Sequence, residues 1–264
     1  MRLYDSHAHY NDQKFEGLEG GASALLSLLH EEGVDFVLNA ATSIPSCKEV
    51  LSLAESFDFC YCALGIHPED CAREESPEKA VARLEELLLH EKAVAVGEIG
   101  LDYYWEDYPS KEIQMAYFKA QLELAKRLSL PVVIHDRDAH GDVFDTLKGY
   151  PDLVVVLHSY SGSPEMARQY LQNPNRYISF SGVLTFKNAV QTVETAKIVP
   201  LSRILSETDC PYLAPVPFRG KLNHSGYMAK TVEKLAELKG LSPDAMADVL
   251  AENARRVFLN GKEP

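Results

Sequence analysis

Eight short apolar runs alternate with longer helical patterns from one end of the chain to the other, and this alternation restricts the fold more than any other feature. Several runs are nearly all apolar, as in 94–96 and 154–157, which is typical of strands covered on both faces. The predicted strands are 3–5, 35–40, 59–65, 93–97, 131–135, 153–158, 176–181 and 204–206.

Helix start signals lie between these strands. Ser76, Ser163 and Ser242 each precede a proline, which is the arrangement of a hydroxyl N-cap before a proline at the first helical position. The helical stretches with the clearest bounds are 110–128, 230–239 and 243–259. Strand and helix therefore alternate as repeated βα units.

Eight such units predict an α/β protein, a single TIM-type (β/α)8 barrel over residues 1–264. A chain of 264 residues, 46% hydrophobic and 25% charged, can bury a large core in one domain. A doubly wound open sheet is the alternative. The first strand, however, is not followed by the glycine-rich phosphate loop that nucleotide-binding versions of that fold carry.

Charge and cysteine usage restrict the function and the compartment. A formal net charge of −13 argues against tight, sequence-indifferent coating of DNA, yet it leaves room for a local phosphate site. Cys60 and Cys62 have no second cysteine pair with which to form a zinc site. Unpaired thiols, no signal-like apolar N-terminus and no run near the roughly 20 apolar residues of a membrane span lead us to expect a cytoplasmic monomer.

Histidines and carboxylates fall at the ends of the predicted strands. They are His7 and His9 (first), His67 (third), Glu98 (fourth), His135 (fifth), His158 (sixth), and Glu207 and Asp209 (eighth). In a barrel these ends converge on one face, where barrel enzymes keep their active sites. Strand alternation predicts that His7 and His9 project the same way, as do the two carboxylates of the eighth strand. One strand-end histidine is usually a satisfied buried group, but so many together require a metal or a substrate.

The donor set suits two divalent ions. The hypothesis places His7, His9 and Asp209 at one ion, His135 and His158 at the other, and Glu98 as the bridge. Imidazole mixed with carboxylate favours Zn²⁺, Mn²⁺, Fe²⁺ or Co²⁺ over Mg²⁺. Two ions roughly 3.5–4 Å apart activate a bridging water for hydrolysis. A structural metal site is the alternative, although such sites are usually closed and rich in cysteine.

At these residues the sequence resembles the TatD family of metal-dependent deoxyribonucleases, in the amidohydrolase-like barrel superfamily. The matching segments cover nearly the whole chain in order: 5–9 (DSHAH), 65–68 (GIHP), 97–104 (GEIGLDYY), 131–135 (PVVIH), 158–162 (HSYSG), 185–188 (TFKN) and 207–215 (ETDCPYLAP). The resemblance implies metal ligands at His7, His9, Glu98, His135, His158 and Asp209. It also implies two divalent ions (Mg²⁺, Mn²⁺ or Zn²⁺) and 3′–5′ exonucleolytic hydrolysis of single-stranded DNA or other nucleic-acid ends.

Two departures from the family pattern leave the ligand set intact. The family commonly continues the segment 219–223 with Glu-Pro, where this chain has His224 and Ser225, a change that we expect to affect the rim of the substrate site. The sixth-strand histidine is often followed by Cys-Phe, where this chain has Ser159 and Tyr160. Glu98 supplies an anionic bridge without the carboxylated lysine of phosphotriesterase-like and urease-like barrels, which favours the TatD-like interpretation over a lactonase or amidase.

Four residues are candidates for chemistry: Asp209, Glu98, Glu207 and His67. Asp209 is a better candidate than Glu207 for the base that deprotonates the nucleophile. Glu207 holds a ligand histidine or a substrate hydroxyl. His67 either hydrogen-bonds a phosphate oxygen or the attacking water, or orients a ligand.

Loops at the same face carry candidate substrate contacts: Arg137, Lys187, Arg219, Lys221 and Trp105. The cations suit flanking phosphates, and Trp105 either stacks on a base or packs its own loop. The alternative for the arginines is pairing with neighbouring acids.

A metal-dependent nuclease is the leading hypothesis for the function. The alternatives are a barrel metallohydrolase acting on a small phosphoester, lactone or amide, and a binding protein without catalysis.

Overall fold

The computed structural model describes residues 1–264, and its eight strands form one parallel sheet in the order of the chain. The strands are β1 (Leu3–Ala8), β2 (Val34–Ala40), β3 (Cys60–Leu64), β4 (Ala93–Asp102), β5 (Val132–Arg137), β6 (Val155–Leu157), β7 (Arg176–Phe180) and β8 (Ile204–Ser206). The helices are α1 (Gly21–Glu31), α2 (Ile44–Glu55), α3 (Pro77–Leu87), α4 (Lys111–Leu128), α5 (His140–Leu147), α6 (Pro164–Tyr170), α7 (Val190–Ile198), α8 (Ala229–Lys239) and α9 (Pro243–Phe258). Short 3₁₀ turns lie at Gln13–Phe15, Pro68–Arg73, Gly182–Thr185, Leu201–Arg203 and Ser225–Met228.

The sheet closes on itself where β1 meets the segment after β8. Ala8 and Cys210 form a parallel bridge there. The backbone N–H of Asp209 donates to the His7 carbonyl at 2.9 Å, and that of His9 donates to the Cys210 carbonyl at 2.8 Å. The predicted (β/α)8 barrel is therefore confirmed, and the open-sheet alternative is wrong.

The barrel interior is filled by one set of strand side chains, and the other set faces the helices. Each strand contributes to a single inner cluster: Tyr4, Phe36, Leu38, Ala40, Ala63, Ala95, Val133, Val156, Tyr177 and Leu205. All eight strands contribute to this cluster, so it lies in the barrel interior. Strand alternation then places the remaining apolar residues in the outer layer, against the helices. Val257 and Phe258 of α9 join the inner cluster, and this helix therefore packs against one end of the barrel.

Serine side chains begin several helices, as their sequence pattern predicts. Ser76, Ser163 and Ser242 accept from the backbone N–H three residues later, at 3.3, 3.1 and 3.2 Å respectively. Ser43 caps α2 in the same way, with Pro45 in the first turn. Each cap satisfies one N–H that the first helical turn leaves without a partner.

Three strands extend beyond their predicted ends, and all carry candidate ligands; β5 continues two residues past His135, to Arg137. We expected the first strand to end at Asp5 and the fourth at Gly97, but β1 continues to Ala8 and β4 to Asp102. The extension of β4 is stabilised by pairing of Ile99–Asp102 with β5 as far as Arg137. His7 and Glu98 therefore lie inside strands, not after them.

No helix is long and apolar enough to cross a membrane. The expectations of one domain over 1–264, a monomer and a cytoplasmic location stay predictions.

All five cysteines are buried and unpaired, so we expect the native thiols to be inert. Burial raises the pKa of Cys47, Cys60 and Cys71 to about 12, which leaves almost no reactive thiolate at neutral pH. Titration of the native protein with a thiol-specific disulfide reagent should label few thiols within minutes, whereas the protein in guanidinium chloride should label all five. Rapid labelling of the native protein would mean that the strands carrying these thiols open readily.

Candidate metal centre at the carboxyl ends of the strands

Glu98 lies at the middle of a cluster of histidines, with a side chain that is only 5% exposed. Its Oε2 is 3.2 Å from His7 Nε2 and 3.4 Å from His9 Nε2. Its Oε1 is 2.7 Å from His135 Nδ1 and 3.1 Å from His158 Nε2. The two carboxylate oxygens thus divide the four imidazoles into two pairs, which is the geometry expected of a bridge.

Asp209 completes the first of these pairs. Its Oδ1 lies 3.4 Å from His9 Nε2 and 3.7 Å from His7 Nε2. The two imidazoles face each other across 3.0 Å between their Nε2 atoms, which agrees with the predicted common projection of His7 and His9. The structure thus brings all six predicted ligands into one cluster.

Glu207 and Asp209 reach this cluster by a different route from the one predicted. Simple alternation along β8 does not place them, because β8 ends at Ser206 and Asp209 has a positive φ of 55°. Glu207 is fully buried against His158, whereas the Asp209 side chain is 19% exposed. The turn after β8 therefore gives the two carboxylates separate positions.

Acceptors behind the histidines fix the orientation of three rings. His158 Nδ1 donates to Glu207 Oε1 at 3.0 Å, and His9 Nδ1 donates to the Ala40 carbonyl at 2.9 Å. His135 Nε2 donates to Asp102 Oδ2 at 3.0 Å. With those protons so placed, the remaining nitrogen of each ring turns its lone pair toward the carboxylates, as in metal sites whose histidines are held from behind.

The residues present fit divalent metal ions. Imidazole lone pairs and carboxylate oxygens approach one another, and two acceptors at such distances require a positive charge between them. The groupings whose ligand atoms lie within 4.8 Å of one another are His7–Glu98–His158, His7–His9–Asp209 and His67–Glu98–His135. Buried nitrogen and oxygen donors in such groups are the ligands of Zn²⁺, Mn²⁺ or Fe²⁺.

The pKa shifts of the clustered side chains also indicate that positive charge is needed among them. Burial would raise the pKa of Glu98, but His158 and His7 hold it well below its ordinary value. Burial would lower the pKa of His9 and His135, yet carboxylate contacts raise these values to about 10 and about 9. Either protons or metal ions must supply this charge, and both bind the same lone pairs.

His67 differs from the other histidines. Its Nδ1 accepts from the backbone N–H of Glu69 at 3.2 Å, so the proton of the neutral ring lies on Nε2. Nε2 faces the cluster, 3.8 Å from Glu98 Oε1. Burial and the neighbouring His135 lower the pKa of His67 to about 3, so the ring is a neutral donor and not a ligand with a free lone pair.

The cluster forms the floor of a cavity of about 330 Å³. Sequence reasoning identified the floor and missed most of the walls, which are Asn11, Asp12, Thr42, Glu69 and Tyr212. Asn11, Asp12 and Glu69 follow a motif by one to three positions, and Tyr212 lies within the segment 207–215, but Thr42 follows β2, where no motif was identified. Asp102 was missed too, although it belongs to the segment 97–104.

The predicted substrate contacts lie around this cavity and not in it. Lys187 and Arg219 line a separate cavity of about 270 Å³ with Phe186, Asn188 and Val216. The Arg137 guanidinium lies 3.9 Å from the centre of the Tyr104 ring and 5.2 Å from that of Trp105, whose exposure is 46%. Lys221 Nζ is 5.6 Å from the Phe218 ring.

Two of the residues that depart from the family pattern, His224 and Ser225, do not line the cavity. Ser225 is fully buried and donates to Asp5 Oδ2 at 2.7 Å. His224 packs 3.9 Å from the Tyr227 ring, and burial lowers its pKa to about 4. The expectation that this departure affects the rim is therefore replaced by a role beneath the site.

Comparison with known proteins agrees with this site. The TatD related DNase family model matches residues 4–259. The uncharacterized metal-dependent hydrolase YabD of Bacillus subtilis is 39% identical over 97% of this chain and 98% of its own length. YcfH of Escherichia coli, named in the same way, is 36% identical over 98% and 96%. The crystal structure of the Escherichia coli TatD homolog YjjV superposes with a TM-score of 0.89 at 32% identity, over 98% of both chains.

More distant barrels share the fold alone. The phosphotriesterase homology protein of Escherichia coli, described with phosphate in its active site, has a TM-score of 0.67 at 14% identity. The family match and the relatives YabD and YcfH cover nearly all of this chain, and both relatives are named as metal-dependent hydrolases. The chain is therefore a member of the TatD related DNase family and a metal-dependent hydrolase.

Proposed function

We propose that this hydrolase removes nucleotides from the 3′ end of single-stranded DNA with the help of two divalent ions. The residues that would hold the ions are His7, His9, Glu98, His135, His158 and Asp209, and Glu98 would supply one carboxylate oxygen toward each pair of histidines. When bound, the ions polarise the phosphodiester and lower the pKa of the attacking water. Attack forms a bond between the water oxygen and phosphorus and breaks the bond between phosphorus and O3′ of the preceding nucleotide. That O3′ takes a proton from solvent and becomes the new 3′-hydroxyl of the shortened strand, and a 5′-mononucleotide is released.

The side chains around the ions have separate tasks. Asp209, which lies at the cavity with a partly exposed carboxylate, accepts the proton of the attacking water. His67 donates from Nε2 to a phosphate oxygen, since its other nitrogen is occupied by the Glu69 N–H. Glu207 and Asp102 are positioning residues, because they act through His158 and His135.

The observation that carries the proposal is a set of unpaired cations on the segments after the strands, at the carboxyl face of the barrel. Most lysines and arginines of the outer helices pair with a carboxylate, as Arg127 does with Glu85 at 2.8 Å. Four cations that end or follow β5, β7 and β8 form no ion pair, and we call them the basic arc: Arg137, Lys187, Arg219 and Lys221. Arg137 lies beside the exposed rings of Tyr104 and Trp105, and Arg219 lies 3.7 Å from the half-buried Phe186 ring. Unpaired cations beside aromatic rings suit a chain of phosphates and bases.

The direct test is cleavage of a 5′-labelled single-stranded oligonucleotide by the metal-stripped protein after Mg²⁺, Mn²⁺ or Zn²⁺ is added back. We expect a ladder that shortens one nucleotide at a time from the 3′ end. A panel of small phosphoesters, lactones and amides run in parallel tests the alternative substrates. Turnover of that panel without any cleavage of the oligonucleotide would overturn the proposal.

The ligand assignment predicts the metal content. The wild-type protein should bind about two divalent ions per chain, as two-metal hydrolases do. The double variant His135→Ala, His158→Ala should lose one of them, measured by elemental analysis after dialysis. Unchanged stoichiometry in that variant would contradict the assignment of these two histidines.

The assignment of Glu98 as the bridge predicts the effect of a nearly isosteric substitution at this residue. Glu98→Gln removes the charge and one good acceptor while keeping the shape. We expect a folded protein whose kcat/KM falls by on the order of 100-fold or more, beyond the loss typical of residues behind the ligands. Glu86→Gln on the exposed face of α3 is the matched control and should leave kcat/KM unchanged. Wild-type turnover by a folded Glu98→Gln protein would exclude the bridge.

The basic arc predicts weak binding with a shallow salt dependence. Only a few phosphates can be neutralised on a chain of net charge −13, so the slope of log K against log salt should be about −1 to −3, at roughly −0.7 per phosphate. Charge reversal by Arg219→Glu and Lys221→Glu should weaken oligonucleotide binding, measured by fluorescence anisotropy, and leave the metal content intact. The control Lys119→Glu, Lys126→Glu makes the same charge change on α4. Equal effects of the two double variants would place the strand elsewhere.

A further inference from the structure

One side of the cavity carries two carboxylates that the ligand cluster does not use. Asp12 follows β1 and Glu69 follows β3, and both line the cavity, with Thr42 of the segment after β2 between them. Neither carboxylate forms an ion pair. The nearby Lys14 amine lies instead over the Tyr212 ring, 3.8 Å from its centre. We call Asp12 and Glu69 the acidic wall.

Phenol hydroxyls hold both carboxylates in place. Tyr212 donates to Asp12 Oδ2 at 2.7 Å, and the backbone N–H of Lys14 donates to Asp12 Oδ1 at 2.8 Å. Tyr108 donates to Glu69 Oε2 at 3.0 Å. These neutral donors fix the carboxylates without cancelling their charge, so the acidic wall presents a negative potential and spare acceptor sites to whatever enters the cavity.

The acidic wall lines the cavity, whereas no member of the basic arc does, and Lys187 and Arg219 line a separate cavity. The two sets are not on opposite sides of the barrel, because the segment after β8 neighbours β1 where the barrel closes. A polyanion is therefore attracted by cations outside the cavity and repelled by the carboxylates within it. In the proposed exonuclease the body of the strand would contact the basic arc, and its last nucleotide would enter the cavity beside the acidic wall.

From this asymmetry we infer that the acidic wall selects strands whose 3′ end is a free hydroxyl and rejects strands that end in a 3′-phosphate. The inference rests on the proposed exonuclease function and adds its end specificity. The 3′-hydroxyl of a deoxyribose donates a hydrogen bond to a carboxylate, whereas a terminal phosphate brings up to two further negative charges beside Asp12 and Glu69. Like charges so placed in a confined site discriminate strongly between ligands.

The experiment compares two 5′-labelled single-stranded decamers of one sequence, one with a 3′-hydroxyl and one with a 3′-phosphate. For the wild-type holoenzyme we expect kcat/KM to favour the hydroxyl end by roughly 10- to 100-fold. The isosteric double variant Asp12→Asn, Glu69→Gln should bring this ratio close to one. Asp248→Asn combined with Glu86→Gln removes the same charge from the exposed faces of α9 and α3 and should leave the ratio as it is.

A binding measurement gives a second readout that needs no turnover. Calorimetry of the holoenzyme should show that thymidine 5′-phosphate binds more tightly than thymidine 3′,5′-bisphosphate. This difference should disappear in the double variant. A change confined to protein stability would affect both ligands alike.

The outcomes separate the two proposals. Failure of the wild-type enzyme to cleave either decamer overturns the exonuclease proposal itself. Cleavage of both decamers at equal rates overturns only the end specificity. The same conclusion follows if the double variant keeps the wild-type ratio, or loses activity on both decamers in equal proportion.

Discussion

Glu98 places one carboxylate oxygen beside His7 and His9 and the other beside His135 and His158. A buried carboxylate is costly unless positive charge compensates it, and the imidazoles compensate it only when protons or metal ions occupy their lone pairs. The need for a cation between Glu98 and the imidazoles also explains the carboxylates behind the rings. Glu207 and Asp102 take up the outer N–H groups, and so leave the inner nitrogens free to bind a cation.

Regular alternation explains only part of how this cluster forms. Val133 and Val156 face the barrel interior, and His135 and His158 come two residues later on the same side. Their convergence can be predicted from sequence because the period of a strand is two. The position of the cluster at the carboxyl ends of the strands follows from the barrel fold.

Glu98 shows where that rule ends. Val96 and Ile99 both pack in the outer layer although they are three residues apart, and the pairing of β4 with β5 shifts between them. That irregularity turns Glu98 inward. β1 has a comparable shift between Asp5 and Ala8. The sequence predicts that these strands carry ligands, but nothing in the pattern of apolar residues reports a shift in register.

The walls of the cavity were the least predictable part. Cations after β5, β7 and β8 could be assigned to the correct face because every loop after a barrel strand lies there. None of them lines the cavity above the ligands, and the two that line a separate cavity, Lys187 and Arg219, meet there through the path of the long segment from β8 to α8, which has no periodicity to read. Asp12 and Glu69 escaped prediction for the same reason, since loop conformation alone makes them neighbours of the ligands.

Closure of the barrel and placement of the ligands rest on the same hydrogen bonds. Asp5 is fully buried in β1, and its carboxylate accepts from the backbone N–H of His7 at 3.3 Å and from the N–H and hydroxyl of Thr208 at 3.0 and 2.6 Å. Each bond ends next to a candidate ligand. Asp5 thereby holds His7 and the segment of Asp209 in register across the seam where β1 meets the last strand.

Ser225 supplies the fourth donor to Asp5, from its hydroxyl at 2.7 Å. Burial raises the pKa of Asp5 to about 7, although the hydrogen bonds from Thr208, Ser225 and His7 oppose this rise. The Ser225 N–H also donates to the Tyr10 hydroxyl at 2.9 Å, so both of its polar hydrogens are used in one buried network. A proline at position 225 would have neither donor, so the seam beneath the candidate metal centre would lose both of these hydrogen bonds.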